Sequence, residues 1–165
     1  MVAAVIPQRP IVGFFVAGRP APKGSLAIGR RKDGQMFLRH STTGSDQRAW
    51  SSSVATAALC EMRRQSIALI SQGAIFAVLT FCRLRPRGHL NAAGDLKPRR
   101  ARDLPETRPD ADKLLRAVGD ALTGVVYRDD AQLTTVVVRK RWAKTEGVLV
   151  ELYFDHSDPD VEVAT

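Results

Sequence analysis

Arg108-Pro109-Asp110-Ala111-Asp112-Lys113-Leu114-Leu115-Arg116 opens a segment in which Leu114, Leu115, Val118, Ala121 and Leu122 recur every three or four positions. That spacing predicts a helix from Asp110 to Leu122, with Asp112, Arg116 and Asp120 as a charged stripe opposite the apolar one. Pro109 cannot donate a backbone hydrogen bond and biases Arg108 away from helical geometry, so Asp110 falls at the helix entrance and Asp112 inside the first turn. Gly124 ends the helix, Val125-Val126-Tyr127 reads as a short extended piece, and Asp129-Asp130 forms a turn into an apolar-rich strand from Gln132 to Trp142. A strand start at that point is expected to bring Asp130 back beside the helix entrance.

Each acidic pair has a plain reading, Asp110 as a helix cap and Asp129-Asp130 as turn composition. Their combination points further. Close carboxylates repel unless a cation or proton lies between them, and these stand in a basic chain with Arg116 one helical turn beyond Asp112. Hard oxygen ligands suit magnesium, with manganese as a substitute; such ions keep several waters and bridge to phosphate, so phosphate chemistry is the expectation.

Working outward, the 165 residues carry a net charge of +8 and a pI near 10.2. The last fifteen hold five acids (Glu151, Asp155, Asp158, Asp160, Glu162) and no Lys or Arg, which leaves +13 on residues 1–150. Such a body favours nucleic acid or another polyanion. The length suits one domain with one core. Cys60 and Cys82 are isolated, which argues against a zinc site and for two buried thiols in a reducing cytosol. His40, His89 and His156 are scattered. No run approaches the ~20 apolar residues of a membrane span, so a cytoplasmic protein without membrane contact is expected.

Residues 1–10 read as a loose lead-in to a first strand, Ile11 to Val16. Between Arg19 and His40 six basic residues face one acid, and Asp33-Gly34 makes the turn of a basic hairpin joining Leu26-Ala27-Ile28 to Met36-Phe37-Leu38. Pro22-Lys23-Gly24-Ser25 lacks the order of a nucleotide-binding phosphate loop and is not followed by a helix. Asp46 can cap a helix running to about Arg64, with Trp50, Val54, Ala57 and Ala58 on its apolar side and Trp50 in the core rather than serving as a stacking platform. Gly73 introduces a strand to Leu84 with apolar residues on both faces, the mark of a central strand.

From Arg83 to Arg108 eight basic residues face three acids, in a Pro- and Gly-containing stretch without hydrophobic period. It reads either as an arm engaging the phosphodiester backbone or as an ordinary disordered insertion. The candidate phosphate contacts are Lys23, Arg30, Arg31, Arg85, Arg87, Lys97, Arg99, Arg100, Arg102 and Lys113. Gln132–Trp142 and Val148–Phe154 are expected to pair as a hairpin through Lys144-Thr145-Glu146-Gly147, and the acidic residues 156–165 form a mobile tail. The element order implies an α+β domain over residues 11–155, with a mixed β-sheet and two main helices.

The string Pro109-Asp110-Ala111-Asp112-Lys113-Leu114-Leu115-Arg116-Ala117-Val118-Gly119-Asp120-Ala121-Leu122-Thr123, followed by Asp129-Asp130-Ala131-Gln132, resembles the signature of the RusA family of Holliday junction resolvases, small endonucleases often carried by phages. The likeness extends to Gly18-Arg19-Pro20-Ala21-Pro22-Lys23-Gly24, the helix containing Trp50 and the final strands. It implies a homodimer that nicks four-way junctions and related branched DNA symmetrically, with Asp110, Asp112 and Asp130 as metal-binding catalytic residues and Asp129 as an auxiliary acid. The family's catalytic lysine falls on Arg116, and its usual Asn after the second Asp is Lys113. Arg116 keeps the charge but holds its proton, so it suits transition-state stabilisation and not proton abstraction. The competing reading is a junction-binding protein with impaired catalysis, in which the Lys113 ammonium takes the cation's place beside the acids.

Overall fold

The structure is a computed structural model that describes residues 9–23, 26–40, 45–97 and 103–156. In chain order the elements are β1 (Val12–Ala17), β2 (Leu26–Arg30), β3 (Met36–His40), α1 (Ser45–Arg64), β4 (Ile75–Arg83), α2 (Ala111–Leu122), β5 (Leu133–Trp142) and β6 (Gly147–Phe154), with single 3-10 turns at Arg87–His89 and Asp130–Gln132. A four-stranded sheet has the order β1-β6-β4-β5, and β2 pairs with β3. β4 runs parallel to β5, whereas β1–β6 and β6–β4 are antiparallel. The sheet is therefore mixed, and with its two helices it forms the α+β arrangement expected from the element order.

Strand alternation divides β4 between two clusters. Ile75, Ala77, Leu79 and Phe81 join Trp50, Val54, Ala58 and Met62 of α1 and Leu114, Val118 and Leu122 of α2 in the main core. Phe76 and Val78 lie in a second cluster with Tyr153, and the Phe76 and Tyr153 rings stand 5.8 Å apart. Burial on both faces explains why β4 is internal, as its composition implied. Trp50 is buried in the core, also as expected.

Two expectations are corrected. β5 and β6 follow one another in sequence but do not pair; β4 lies between them, and their connection crosses its end, where the Ala143 amide donates to the Arg83 carbonyl (2.8 Å). A strand apolar on both faces gains most burial with a neighbour on each edge, and that outweighs the local hairpin. The cysteines are not two buried thiols: Cys60 is exposed and Cys82 half-buried, its thiol pKa pushed up by burial. Cys60 falls off the α1 stripe that buries Ala58 and Met62. The Asp33-Gly34 turn forms as read, with Gly34 at a φ of 88° and the Gln35 amide donating to Asp33 Oδ1 (3.0 Å). Residues 1–8 of the lead-in and 157–165 of the tail lie outside the described residues.

Gly147 starts β6, paired with Ala17 on one side and Cys82 on the other. A Cβ there would run into the Val16 carbonyl oxygen and the Phe15 ring. The obstacle is partly backbone and cannot rotate away. Gly147→Ala is expected to destabilise the fold by about 3 kcal/mol, the upper part of the overpacking range, read as a lower urea midpoint at unchanged slope.

Candidate active site

α2 presents a buried side made of Leu114, Ala117, Val118, Gly119 and Leu122. Its charged residues are left outward. Asp110 occupies the N-cap position with extended backbone, yet its side chain makes no capping hydrogen bond. Its carboxylate instead lies 3.2 Å from Lys113 Nζ, and one turn on Asp112 lies 3.2 Å from Arg116 Nη2. All four side chains keep at least a third of their surface in solvent. The Lys23 ammonium, expected to be a phosphate contact, is paired with Asp120, and the Lys23 amide donates to the Lys113 carbonyl (3.1 Å), which lays this segment along α2.

The parallel β4–β5 pair fixes where the helix entrance stands. Arg83 is level with Trp142 at one end of the pair, and Ile75 with Leu133 at the other. Asp110 emerges at the Arg83–Trp142 end. The three carbonyls before it are each held there: Lys140 Nζ donates to those of Thr107 (2.8 Å) and Pro109 (3.3 Å), and Arg83 Nη1 to that of Arg108. Arg19, Arg83 and Glu146 line a small cleft against Pro109, with Arg83 Nε 4.0 Å from Glu146. At the same end the Arg85 guanidinium lies 5.4 Å from the centre of the Trp142 ring, and His89 meets that ring edge-on at 5.5 Å. The Lys97 amide donates to the His89 carbonyl (2.9 Å). Cations thus gather at the end of the sheet from which Asp110 emerges, a field that draws anionic backbone toward that end.

Asp129 and Asp130 stand elsewhere. They precede β5 at the Ile75 end, where Gln132 Nε2 donates to the Gly73 carbonyl (3.2 Å). Asp129 caps its own turn, accepting from the Ala131 amide (2.9 Å), while Gln132 Oε1 accepts from the Asp129 amide (3.2 Å). Nearby, Tyr127 is fully buried and its hydroxyl donates to the Gly119 carbonyl (3.0 Å). Burial first, then the Asp130 and Asp120 charges, raise its pKa, so it stays neutral. The twelve residues of α2, rising about 1.5 Å each, separate the two ends by about 18 Å. Within one chain Asp130 therefore does not return to the helix entrance, contrary to the sequence reading. A parallel neighbour can start only after the chain has travelled back to the far end of the sheet. Accordingly, among the described residues no three Asp, Glu, His or Cys side chains gather as a ligand set.

Of the other candidates, Arg30, Arg31 and Arg87 are exposed, and Arg99, Arg100 and Arg102 lie outside the described residues. The sequence reading missed Lys140 and Arg83 as holders of the helix approach. A signal existed: Lys140 shares its strand face with Val136 and Val138, which pack against the core, so its cation points to the helix side, where solvent is scarce. Among the described residues no helix is long and apolar enough to cross a membrane.

Comparison with known families matches residues 17–153 to the model described as endodeoxyribonuclease RusA. Comparison with curated proteins finds no match.

The Lys113–Asp110 and Arg116–Asp112 pairs are solvent-exposed, and exposed pairs within a helix contribute under about 1 kcal/mol. The double variant Lys113→Ala/Arg116→Ala is expected to keep the wild-type unfolding free energy within that margin in urea titrations. A larger loss would make these cations structural.

Proposed function

The chain belongs to the RusA endodeoxyribonuclease family, and from that premise we propose that it is a magnesium-dependent endonuclease that resolves four-way DNA junctions as a homodimer. The observation that carries this reading is the Asp110–Asp112 pair, exposed at the entrance of α2, at the end of the sheet where Arg19 and Arg85 also stand. An anionic strand held by those cations is delivered to the two carboxylates.

The donors fit the ion. Magnesium is typically bound by one or two carboxylates, several waters and the substrate's phosphate, not by a full protein cage; manganese has the same taste in ligands. Asp110 and Asp112 would hold it, and when bound it supplies a more acidic water and a counter-charge for the phosphodiester. Asp130 joins the set from a second copy: acids about 18 Å apart at opposite ends of one helix can meet across a two-fold axis, which presents the same surface twice with ends exchanged. Each dimer then has two equivalent sites, one for each strand to be nicked.

Arg116 lies on the same stripe as Asp112, and its guanidinium, permanently charged, is suited to offset charge on the phosphoryl oxygens. It takes up no proton. Asp129 is engaged in capping its turn, and its part is to fix the backbone that presents Asp130. A second reading, a junction-binding protein with impaired catalysis, is favoured by one observation: Lys113 and Arg116 already neutralise Asp110 and Asp112.

The proposal is tested on a synthetic four-way junction with magnesium. Asp112→Asn and Asp130→Asn are each expected to lower cleavage by about a hundredfold or more while retaining junction binding. Mixing the two inactive proteins is expected to restore nicking to about a quarter of wild type, because half of the dimers then carry one intact site of two. No restoration on mixing contradicts the shared site; full activity of either variant alone contradicts the metal assignment. Wild type that binds junctions but cleaves none under any divalent ion establishes the second reading. Arg116→Ala is expected to lose about a hundredfold in turnover with little change in binding.

A further inference from the structure

Three consecutive carbonyls, those of Thr107, Arg108 and Pro109, each accept a hydrogen bond from a cationic side chain of the sheet immediately before the chain turns into α2. We propose that Lys140 and Arg83 are positioning residues that set the place of the Asp110 carboxylate, and through it the geometry of the metal site; this rests on the magnesium reading above.

Lys140 sits on β5 level with Phe81 of β4, and Arg83 closes β4 level with Trp142. Both occupy strand positions whose neighbours, Val138 and Phe81, pack into the core beneath the helices. The two cations therefore approach the Thr107–Pro109 segment from below. Arg83 keeps only 19% of its side-chain surface exposed and is further directed by Glu146 at 4.0 Å. Lys140 spans two carbonyls that flank the one taken by Arg83, so the segment is fixed at three successive points.

These bonds are not needed to start the helix. The Leu114 amide donates to the Asp110 carbonyl (3.2 Å) in the ordinary way, and Pro109 has no amide to satisfy. What they fix is the approach. Charge-assisted bonds are shorter and stronger than neutral ones, and their result is a helix entrance pinned to the rigid sheet although a long loop precedes it. A carboxylate that must meet an ion and a phosphate within a fraction of an ångström gains from such anchoring, since small misplacements cost large factors in rate. Neither cation touches a described carboxylate of the metal set, so each acts through the backbone that carries Asp110.

The test uses the full-length protein and the variants Lys140→Met, Lys140→Arg and Arg83→Met, with folding checked by circular dichroism. In metal-free, DNA-free protein, hydrogen exchange of residues 106–116 is expected to accelerate at least about tenfold in Lys140→Met, with β4 and β6 unchanged. Titration with manganese alone is expected to show binding weakened by roughly tenfold, and junction cleavage to need correspondingly more magnesium, as for groups that orient metal ligands. Junction affinity without metal should stay within about twofold, and Lys140→Arg should restore most of each loss. Should Lys140→Met fail to fold, Arg83→Met and Lys140→Arg carry the same comparison. Unchanged exchange and manganese affinity would overturn the proposal. A loss of junction affinity with normal manganese binding would also overturn it, making Lys140 a DNA contact. Accelerated exchange with no cleavage by any form, wild type included, would leave the anchor standing and remove the nuclease reading instead.

Discussion

The parallel pairing of β4 with β5 governs the arrangement of the molecule. Parallel neighbours cannot be joined by a tight turn; the chain must leave one end of the first strand and return to the other before the second begins. In this protein the return is made by α2, whose apolar side packs over the sheet. Whatever opens the helix is thereby set at one end of the sheet, and whatever follows it at the other. Asp110 and Asp112 fall at the first and Asp130 at the second, so a single topological requirement splits the acids into two groups.

Electrostatics then decides what each group can do. The carboxylates at the helix entrance are exposed, share their helix with Lys113 and Arg116, and stand at the end of the sheet where Lys140 and Arg85 lie. In water such pairs are weak and exchangeable, so the divalent ion of the proposed function would displace them at modest cost. The same neutralisation keeps two neighbouring carboxylates from repelling one another in the free protein. Under the proposed function, a resting cation and an incoming metal ion would compete for the same oxygens, which would link metal occupancy to the presence of the nucleic acid that brings further charge.

Much of this could be read from residue order. The three-and-four spacing of Leu114, Val118 and Leu122 gave α2, the two-faced apolar composition of β4 gave its inner position, and Trp50 fell on the stripe that is buried. These are local patterns, and local physics is enough for them. Strand order is not local. β5 and β6 are separated by a short turn and look like a hairpin, yet burying both faces of β4 requires that it come between them. The same non-local step moved Asp130 away from Asp110. Gly147 read as a turn residue, whereas its place is set by the close approach of Val16 and Phe15 from β1. Lys140 lies between Arg139 and Arg141, and only the strand's alternation sends it to the helix side of the sheet.

The central claim is that acids from the two ends of α2 are gathered around a divalent ion by a second copy of the chain. Anomalous scattering from crystals of the protein with a four-way junction, soaked in manganese, tests it most directly. The account predicts a manganese peak bounded by Asp110 and Asp112 of one protomer and Asp130 of its partner, with Lys113 and Arg116 swung off the carboxylates. A peak held by one chain's residues alone, or no peak while Lys113 and Arg116 remain on the acids in a junction-bound dimer, would contradict it.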